Sequence, residues 1–303
     1  MLNSHTLVAI CATLELLNPV YSQDSSDLEK NWEALSSSEA DEISLGHLRQ
    51  IVWAIHAYVD DHKGKLPPVE VKNDALPPEK RLSGFVLLLP YMGVRPSSLP
   101  EDSEVWLRWK ADASVAKSIY AKIDLTKAWD DPANAEAAKM LVPSLLLPSG
   151  APVRDDEGNA VSHIAFVRGS ARTDGKPFEN GAFPRGKSDE GLAISQIGDG
   201  TSMTVAIGQI HDNLGPWMAA GSSTSRQLFH TSNQTDIPTF GGQHGPAAYF
   251  ANCDGFPYFL DIAQTPSSQI SMLARRDDGR ASPDFEFRYK GITEWKEATQ
   301  DQK

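Results

Sequence analysis

The chain has 303 residues and a formal charge of -12 at pH 7, because 28 Lys and Arg residues stand against 40 Asp and Glu residues. This acidic balance repels phosphate groups and disfavours binding to nucleic acid or to an anionic membrane surface. Hydrophobic residues make up 40% of the chain, which is enough for a sizeable core. The two cysteines, Cys11 and Cys253, are too few for a disulfide scaffold or a cysteine-rich zinc site.

Residues 1–22 have the features of a targeting segment. The stretch from Leu7 to Leu17 is mostly apolar, and a core of about ten apolar residues fits a signal peptide better than a membrane span. Val20 and Ser22 are small enough for a signal peptidase site, so we predict export with cleavage after Ser22. A packed N-terminal helix is the alternative, because Glu15 interrupts the apolar stretch and no basic residue precedes it.

A linker and a long helix are predicted next. Residues 23–42 contain seven acidic residues and a single Lys, a composition typical of a solvated acidic linker. Apolar residues then recur at helical spacing from Leu48 to Val59. This pattern predicts a helix from about 43 to 62, with Ser44 as its N-cap and Gly64 at its end.

The remaining elements change character along the chain. The apolar run at 84–91 fits either a buried strand or a short helix, and residues 97–148 are predicted to form helices and loops. Strands are then predicted at 163–167, 192–197, 203–210 and 247–253, and they are followed by a short helix at 266–276 and a polar tail at 281–303. Helices first and strands later predict one α+β domain over residues 43–280.

Residues 181–188 match the phosphate-loop pattern G-x-x-x-x-G-K-[ST]. Phosphate binding by this motif needs a buried strand before the loop and a helix after it, so that backbone N–H groups converge on the ligand. Here polar, turn-like residues precede the match, and Asp189-Glu190-Gly191 follows it. We therefore interpret the match as coincidence and expect no ATP, no other cofactor and no metal.

The segment around Asp254-Gly255 predicts a β-hairpin, because an Asp-Gly pair separates two apolar runs. Pro257 in the return strand indicates an edge strand. Seven strand residues at about 3.3 Å each place His244 roughly 23 Å from Asp254. At that separation the two side chains cannot share a metal or a proton, so the pattern favours a structural role.

His244 followed after nine residues by Asp254-Gly255 gives the pattern H-X9-DG. It resembles the bacterial family called domain of unknown function 1559, also described as prepilin-type processing-associated H-X9-DG proteins. Further segments are similar to those of the family in the same order, namely 48–68, 85–91, 127–134, 197–204, 215–217 and 262–279. The resemblance covers about residues 45–280.

This resemblance implies a pilin-like fold, in which an N-terminal helix packs on an antiparallel sheet with irregular insertions. It also implies a pseudopilin-like protein in the periplasm or cell envelope, or otherwise exported, with an unassigned molecular role. The family's prepilin leader is reduced here to Thr6-Leu7-Val8, and Ala9 replaces the Glu needed for pilus-type assembly. We therefore expect no polymerisation through this segment, and membrane attachment only if the leader is retained.

The leading functional hypothesis is a non-enzymatic exported or envelope protein that acts in surface assembly or binds a protein or glycan. We predict a structural role for the signature residues His244, Asp254, Gly255, Asp199, Gly200, Thr201, Ser202 and Trp217. Two alternatives stay open. One is a solute- or carbohydrate-binding module with an aromatic platform of Trp217, Tyr258 and Phe256. The other is a hydrolase that uses His211, Asp212 or His244, which needs two of these groups in one cleft.

Overall fold

The computed structural model describes residues 25–97, 99–170, 178–186, 191–228, 240–242, 247–277 and 279. Within them the fold is α+β, as predicted. The helices are α1 (Ser25–Glu33), α2 (Ser37–Asp61), α3 (Phe85–Leu88), α4 (Glu104–Tyr120), α5 (Ala135–Ala138) and α6 (Ser267–Ala274). The strands are β1 (Ile164–Ser170), β2 (Val205–Gln209), β3 (Ser225–Leu228), β4 (Ala247–Asn252) and β5 (Pro257–Asp261). None of the helices in these ranges is long and apolar enough to cross a membrane.

The five strands form one mixed sheet in the order β3-β1-β2-β4-β5. Three pairings are antiparallel, and β1 pairs with β3 in parallel. The expectation of an antiparallel sheet is therefore wrong at this one pairing. The chain leaves β2, passes β1 and returns along its far side, which gives β3 the direction of β1. Pro257 begins β5 at the opposite edge of the sheet, as its missing N–H predicts.

Both faces of the sheet are covered by helices. Along β1, Ile164 and Phe166 pack into the larger core with α2, whereas Ala165 and Val167 pack into a second core with α6. This alternation follows from the two-residue period of a strand. Helix α2 contacts β2 and β4, and α6 contacts β1 and β3. The helix-on-sheet arrangement expected for α2 is present, with α6 as an additional layer.

Helix α2 begins earlier than predicted. Its N-cap is Ser36, whose Oγ accepts a hydrogen bond from the Glu39 N–H at 3.3 Å, while the Glu39 carboxylate accepts from the Ser36 N–H at 2.8 Å. This reciprocal capping box satisfies two N–H groups at the helix start. Ser44, the predicted N-cap, lies inside the helix and donates its hydroxyl to the Ala40 carbonyl. The helix ends before Gly64, which has a φ of 80°.

The prediction of a solvated linker at residues 23–42 is wrong for residues 25–42, which form α1 and the first turns of α2. Leu28 is 2% exposed in the larger core, and Trp32 packs against that core one helical turn later. The acidic residues of α1, by contrast, lie on its exposed side. Counting charges concealed the apolar side of a short amphipathic helix.

The structure decides between two predictions for one further element and differs from the predictions at two others. Residues 84–91 are helical, as α3 followed by a 3-10 helix at Leu89–Tyr91. The strand predicted at 192–197 is instead a 3-10 helix at Ile194–Gln196, flanked by an isolated bridge between Ala193 and Lys65. Strand β3 was not predicted, because its residues are mostly polar. Residues 1–22 and 281–303 lie outside the described residues, so the leader and the tail stay predictions.

Candidate functional site

The Asp254-Gly255 turn joins β4 to β5, and its geometry explains both residues. Gly255 has a φ of 88°, a conformation that glycine adopts readily, and its N–H donates to the Asn252 carbonyl at 2.9 Å. The Asp254 carboxylate accepts from the Phe256 N–H at 3.0 Å. The turn is thus closed by its own backbone and carboxylate. His244, the other signature residue, lies outside the described residues.

Residues 199–202 form a second turn, and it packs against the first. Asp199 accepts the N–H of Gly279 at 2.8 Å, and Gly200 has a φ of 88°. The Asp254 N–H donates to the Thr201 carbonyl at 3.1 Å, and the Asn252 side-chain amide donates to the Ser202 carbonyl at 2.6 Å. Sequence reasoning treated these two turns separately. The structure joins them through one backbone hydrogen bond and one bond from a side-chain amide, an arrangement suited to holding the end of the hairpin.

Trp217 is fully buried, and its indole N–H donates to the Met140 carbonyl at 3.1 Å. Tyr258 is also buried, with 2% exposure. The proposed aromatic platform of Trp217, Tyr258 and Phe256 is therefore wrong, because two of its three rings have no surface to offer a ligand. Trp217 packs in the larger core, and the structural role of the signature residues stays a prediction.

The segment that matches the phosphate-loop pattern uses its polar backbone groups within the protein. The Arg185 N–H donates to the Glu179 carboxylate at 2.6 Å, and the Gly181 N–H donates to the Arg168 carbonyl at 2.8 Å. A carboxylate thus occupies one N–H group that a phosphate would need. Lys187 and Ser188 lie outside the described residues, so the expected lack of ATP binding stays a prediction.

Of the three residues considered for hydrolysis, Asp212 forms an ion pair, His211 is half-buried, and His244 lies outside the described residues. The Asp212 carboxylate accepts from the buried Arg226 guanidinium at 2.7 Å, and Arg226 also donates to the carbonyls of Ser222 and Asn213. Arg226 therefore ties two loops together. Cys253 is buried, and this burial raises the pKa of its thiol, so a reactive thiolate is disfavoured. Among the described residues no three His, Cys, Asp or Glu side chains are grouped as a metal site would need.

The described residues form a cleft of about 710 Å³ that is open to a ligand. It lies between α1, the start of α2, the loop at residues 148–152 and half-buried side chains of β4 and β5. Its aromatic residues are Trp32, Tyr249 and Phe259, and its acidic residues are Glu29, Glu33 and Asp41. We call this feature the α1–β4 cleft. Its volume is within the range of roughly 300–1,000 Å³ typical of small-ligand pockets.

Two buried histidines hold the loop at one side of the α1–β4 cleft. His47 Nδ1 donates to the Leu146 carbonyl at 2.8 Å. His163 Nδ1 accepts the Leu147 N–H at 3.0 Å, and its Nε2 donates to the Pro152 carbonyl at 3.0 Å. Burial lowers the pKa of both imidazoles, that of His47 to about 4, so both are neutral at pH 7. The loop therefore has a fixed position beside the cleft.

The polar groups of the α1–β4 cleft are arranged beside its rings. The Tyr249 hydroxyl donates to the Asp41 carboxylate, and the Tyr249 N–H donates to the Gln209 side-chain oxygen at 3.2 Å. Burial, followed by the bond to Asp41, raises the pKa of Tyr249, which therefore stays a protonated donor. The Tyr249 and Phe259 rings pack edge to face with centroids 5.2 Å apart. A negative carboxylate is thus held next to an aromatic pair.

Sequence reasoning missed every residue that lines this cleft. Asp41 and Tyr249 are 208 positions apart. Tyr249 is the one half-buried residue of β4, and the sequence of the strand does not show what faces it. A detectable signal existed in α1, where Leu28 and Trp32 are spaced by one helical turn and Ser36 with Glu39 has the form of a capping box.

Comparisons with known proteins found no relative of this chain. No protein-family model matches the chain, and neither a curated protein nor a solved structure matches it. The resemblance to the H-X9-DG family therefore rests on the order of its motifs.

Proposed function

We propose that this chain is a non-enzymatic binding protein, exported or attached to the cell envelope, that holds its partner in the α1–β4 cleft. The observation that supports this function is the cleft itself, where three aromatic side chains and three carboxylates line about 710 Å³. The envelope location rests on the apolar segment within residues 1–22 and on the H-X9-DG resemblance.

Several contacts favour binding over catalysis at this place. The cleft carboxylates Glu29 and Glu33 are exposed, and no imidazole or thiol is among the described lining residues to act with them. The nearby histidines His47 and His163 are buried and bonded to backbone groups. These side chains serve the shape of the cleft, which supports a site that recognises a ligand without transforming it.

A solute- or carbohydrate-binding module is the alternative, and the α1–β4 cleft gives it a new location. The rings of Trp32, Tyr249 and Phe259 are half-buried, so each keeps some surface that a sugar face could contact. They replace the buried Trp217 and Tyr258 of the original platform.

The function is tested by isothermal titration with a panel of neutral oligosaccharides and of cationic, neutral and anionic blocked tripeptides. We expect one ligand class to bind the native chain, and Trp32→Ala to weaken its binding at least tenfold. Trp129→Ala is the matched control, because Trp129 is also half-buried and its indole donates to the Glu79 carbonyl outside the cleft. If Trp32→Ala fails to fold, Trp32→Phe is used in its place, because Phe keeps an aromatic ring. A binding role for the cleft would be refuted if no ligand class bound at millimolar concentration. It would also be refuted if Trp32→Ala bound the ligand as tightly as the native chain does.

A further inference from the structure

The α1–β4 cleft is lined by charges of one sign. Glu29, Glu33 and Asp41 contribute carboxylates, and no Lys, Arg or His is among the lining residues that the structure describes. A cleft with carboxylates and low-dielectric walls concentrates negative potential. An anionic ligand would be repelled from this place, and a cationic one would be attracted.

The rings in the cleft favour a cation for a second reason. The faces of Trp and Tyr rings attract ammonium and guanidinium groups within about 6 Å of the ring centroid. Trp32 and Tyr249 both line the cleft, and the bond from the Tyr249 hydroxyl places the Asp41 carboxylate beside that ring. An aromatic face next to an oriented carboxylate suits the charge and the shape of a guanidinium or ammonium group.

Two buried polar atoms at the cleft lack hydrogen-bond partners. Ser149 is 6% exposed and lines the cleft, and its Oγ has no partner among the described residues. The Trp32 indole N–H likewise has none within the described ranges. Buried polar atoms normally find a partner, so these two mark hydrogen bonds that a ligand can supply. The indole N–H needs an acceptor, which an ammonium or guanidinium group alone cannot provide.

We propose that the α1–β4 cleft binds a lysine or arginine residue presented on a peptide segment of a partner protein. The cationic group of that residue lies among the carboxylates and the rings of Trp32 and Tyr249. A carbonyl of its backbone accepts from the Trp32 indole, and its N–H groups meet the Ser149 hydroxyl. This proposal rests on the proposed function, since it names the ligand of the same cleft.

The test titrates the native chain with acetyl-Gly-Arg-Gly-amide, its Lys and Gln counterparts, and the neutral sugar tri-N-acetylchitotriose. We expect the Arg and Lys peptides to bind, and Asp41→Asn and Glu33→Gln each to weaken their binding by roughly threefold to tenfold. Asp41→Asn keeps an oxygen that accepts from Tyr249. Asp74→Asn is the control, since Asp74 is an exposed acid outside the cleft, and it should change binding less than about twofold.

Each other outcome separates this inference from the proposed function. Equal binding of the Gln and Arg peptides would overturn the cationic ligand and leave the cleft as a binding site. A further outcome is that the sugar binds the native chain, with its binding abolished by Trp32→Ala and unchanged by Asp41→Asn. That result would also overturn the cationic ligand, and it would favour the carbohydrate-binding alternative. Lack of binding by all four probes would overturn this inference, and the wider panel then decides the proposed function.

Discussion

Acidification should destabilise the fold through His47, which is 7% exposed and holds the loop beside the α1–β4 cleft. Its Nδ1 donates to the Leu146 carbonyl at 2.8 Å, and no carboxylate of the described residues raises its pKa. Burial is the largest cause of its lowered pKa, and the positive charge of Arg108 acts in the same direction. The fold therefore favours the neutral form of the His47 imidazole.

The size and sign of this effect follow from the pKa of His47, which is about 4 in the fold against an ordinary 6.5. Between these values the unfolded chain binds more protons than the folded one, so stability is complete above pH 6.5 and falls as the pH drops toward 4. Each pKa unit corresponds to about 1.4 kcal/mol. His47 alone should therefore remove roughly 2–3 kcal/mol from the free energy of unfolding between pH 7.5 and pH 4.5.

Urea unfolding of the native chain and of His47→Asn at both pH values isolates this contribution. Asn keeps an amide N–H near the position of Nδ1 and does not titrate, so every other group contributes equally to both proteins. We expect the free energy of unfolding to fall by roughly 2–3 kcal/mol less in His47→Asn than in the native chain. Equal falls in the two proteins would show that His47 is not held neutral by burial, and the reasoning would be wrong.

Four further substitutions test contacts at three other places in the fold. Asp112 is buried, and this burial raises the pKa of its carboxyl well above the usual range, so the fold loses stability as the pH rises above about 4. Asp112→Asn does not titrate and should therefore raise the free energy of unfolding at pH 7 by about 1–3 kcal/mol and flatten that loss, measured by urea unfolding. Arg226→Lys should cost about 2–4 kcal/mol by chemical unfolding, because a lysine cannot replace the forked bonds to two loops, whereas Asp212→Asn, at a half-exposed partner, should cost under about 1 kcal/mol. Gly255→Ala should lower the free energy of unfolding by about 1–2 kcal/mol because of the positive φ at this position. The added Cβ would meet Trp53 at an ordinary 3.7 Å, so steric overlap adds nothing to this cost. An unchanged melting temperature would contradict this account of the turn.

The elements that the sequence predicts well are those decided by local patterns. The Asp-Gly pair places the β4–β5 turn, and the apolar spacing from Leu48 to Val59 places the body of α2. Strand β3 escapes such a pattern, because its buried Arg226 is stabilised by the carbonyls of Asn213 and Ser222 in the loops before it, which no alternation within the strand shows. The cleft escapes it for the same reason, since Asp41 and Tyr249 meet only after α2 packs on the sheet.

The signature turns and the α1–β4 cleft lie toward opposite ends of β4. Tyr249 lines the cleft near the start of the strand, and Asp254 lies five residues later in the turn, roughly 16 Å away at the usual rise of a strand. A change at the turn should therefore alter the free energy of unfolding without altering ligand affinity, while Glu33→Gln, at an exposed residue of the cleft, should do the reverse. If Gly255→Ala weakened ligand binding as much as it lowered stability, the hairpin would act as one unit, and the assignment of a purely structural role to Asp254 and Gly255 would fail.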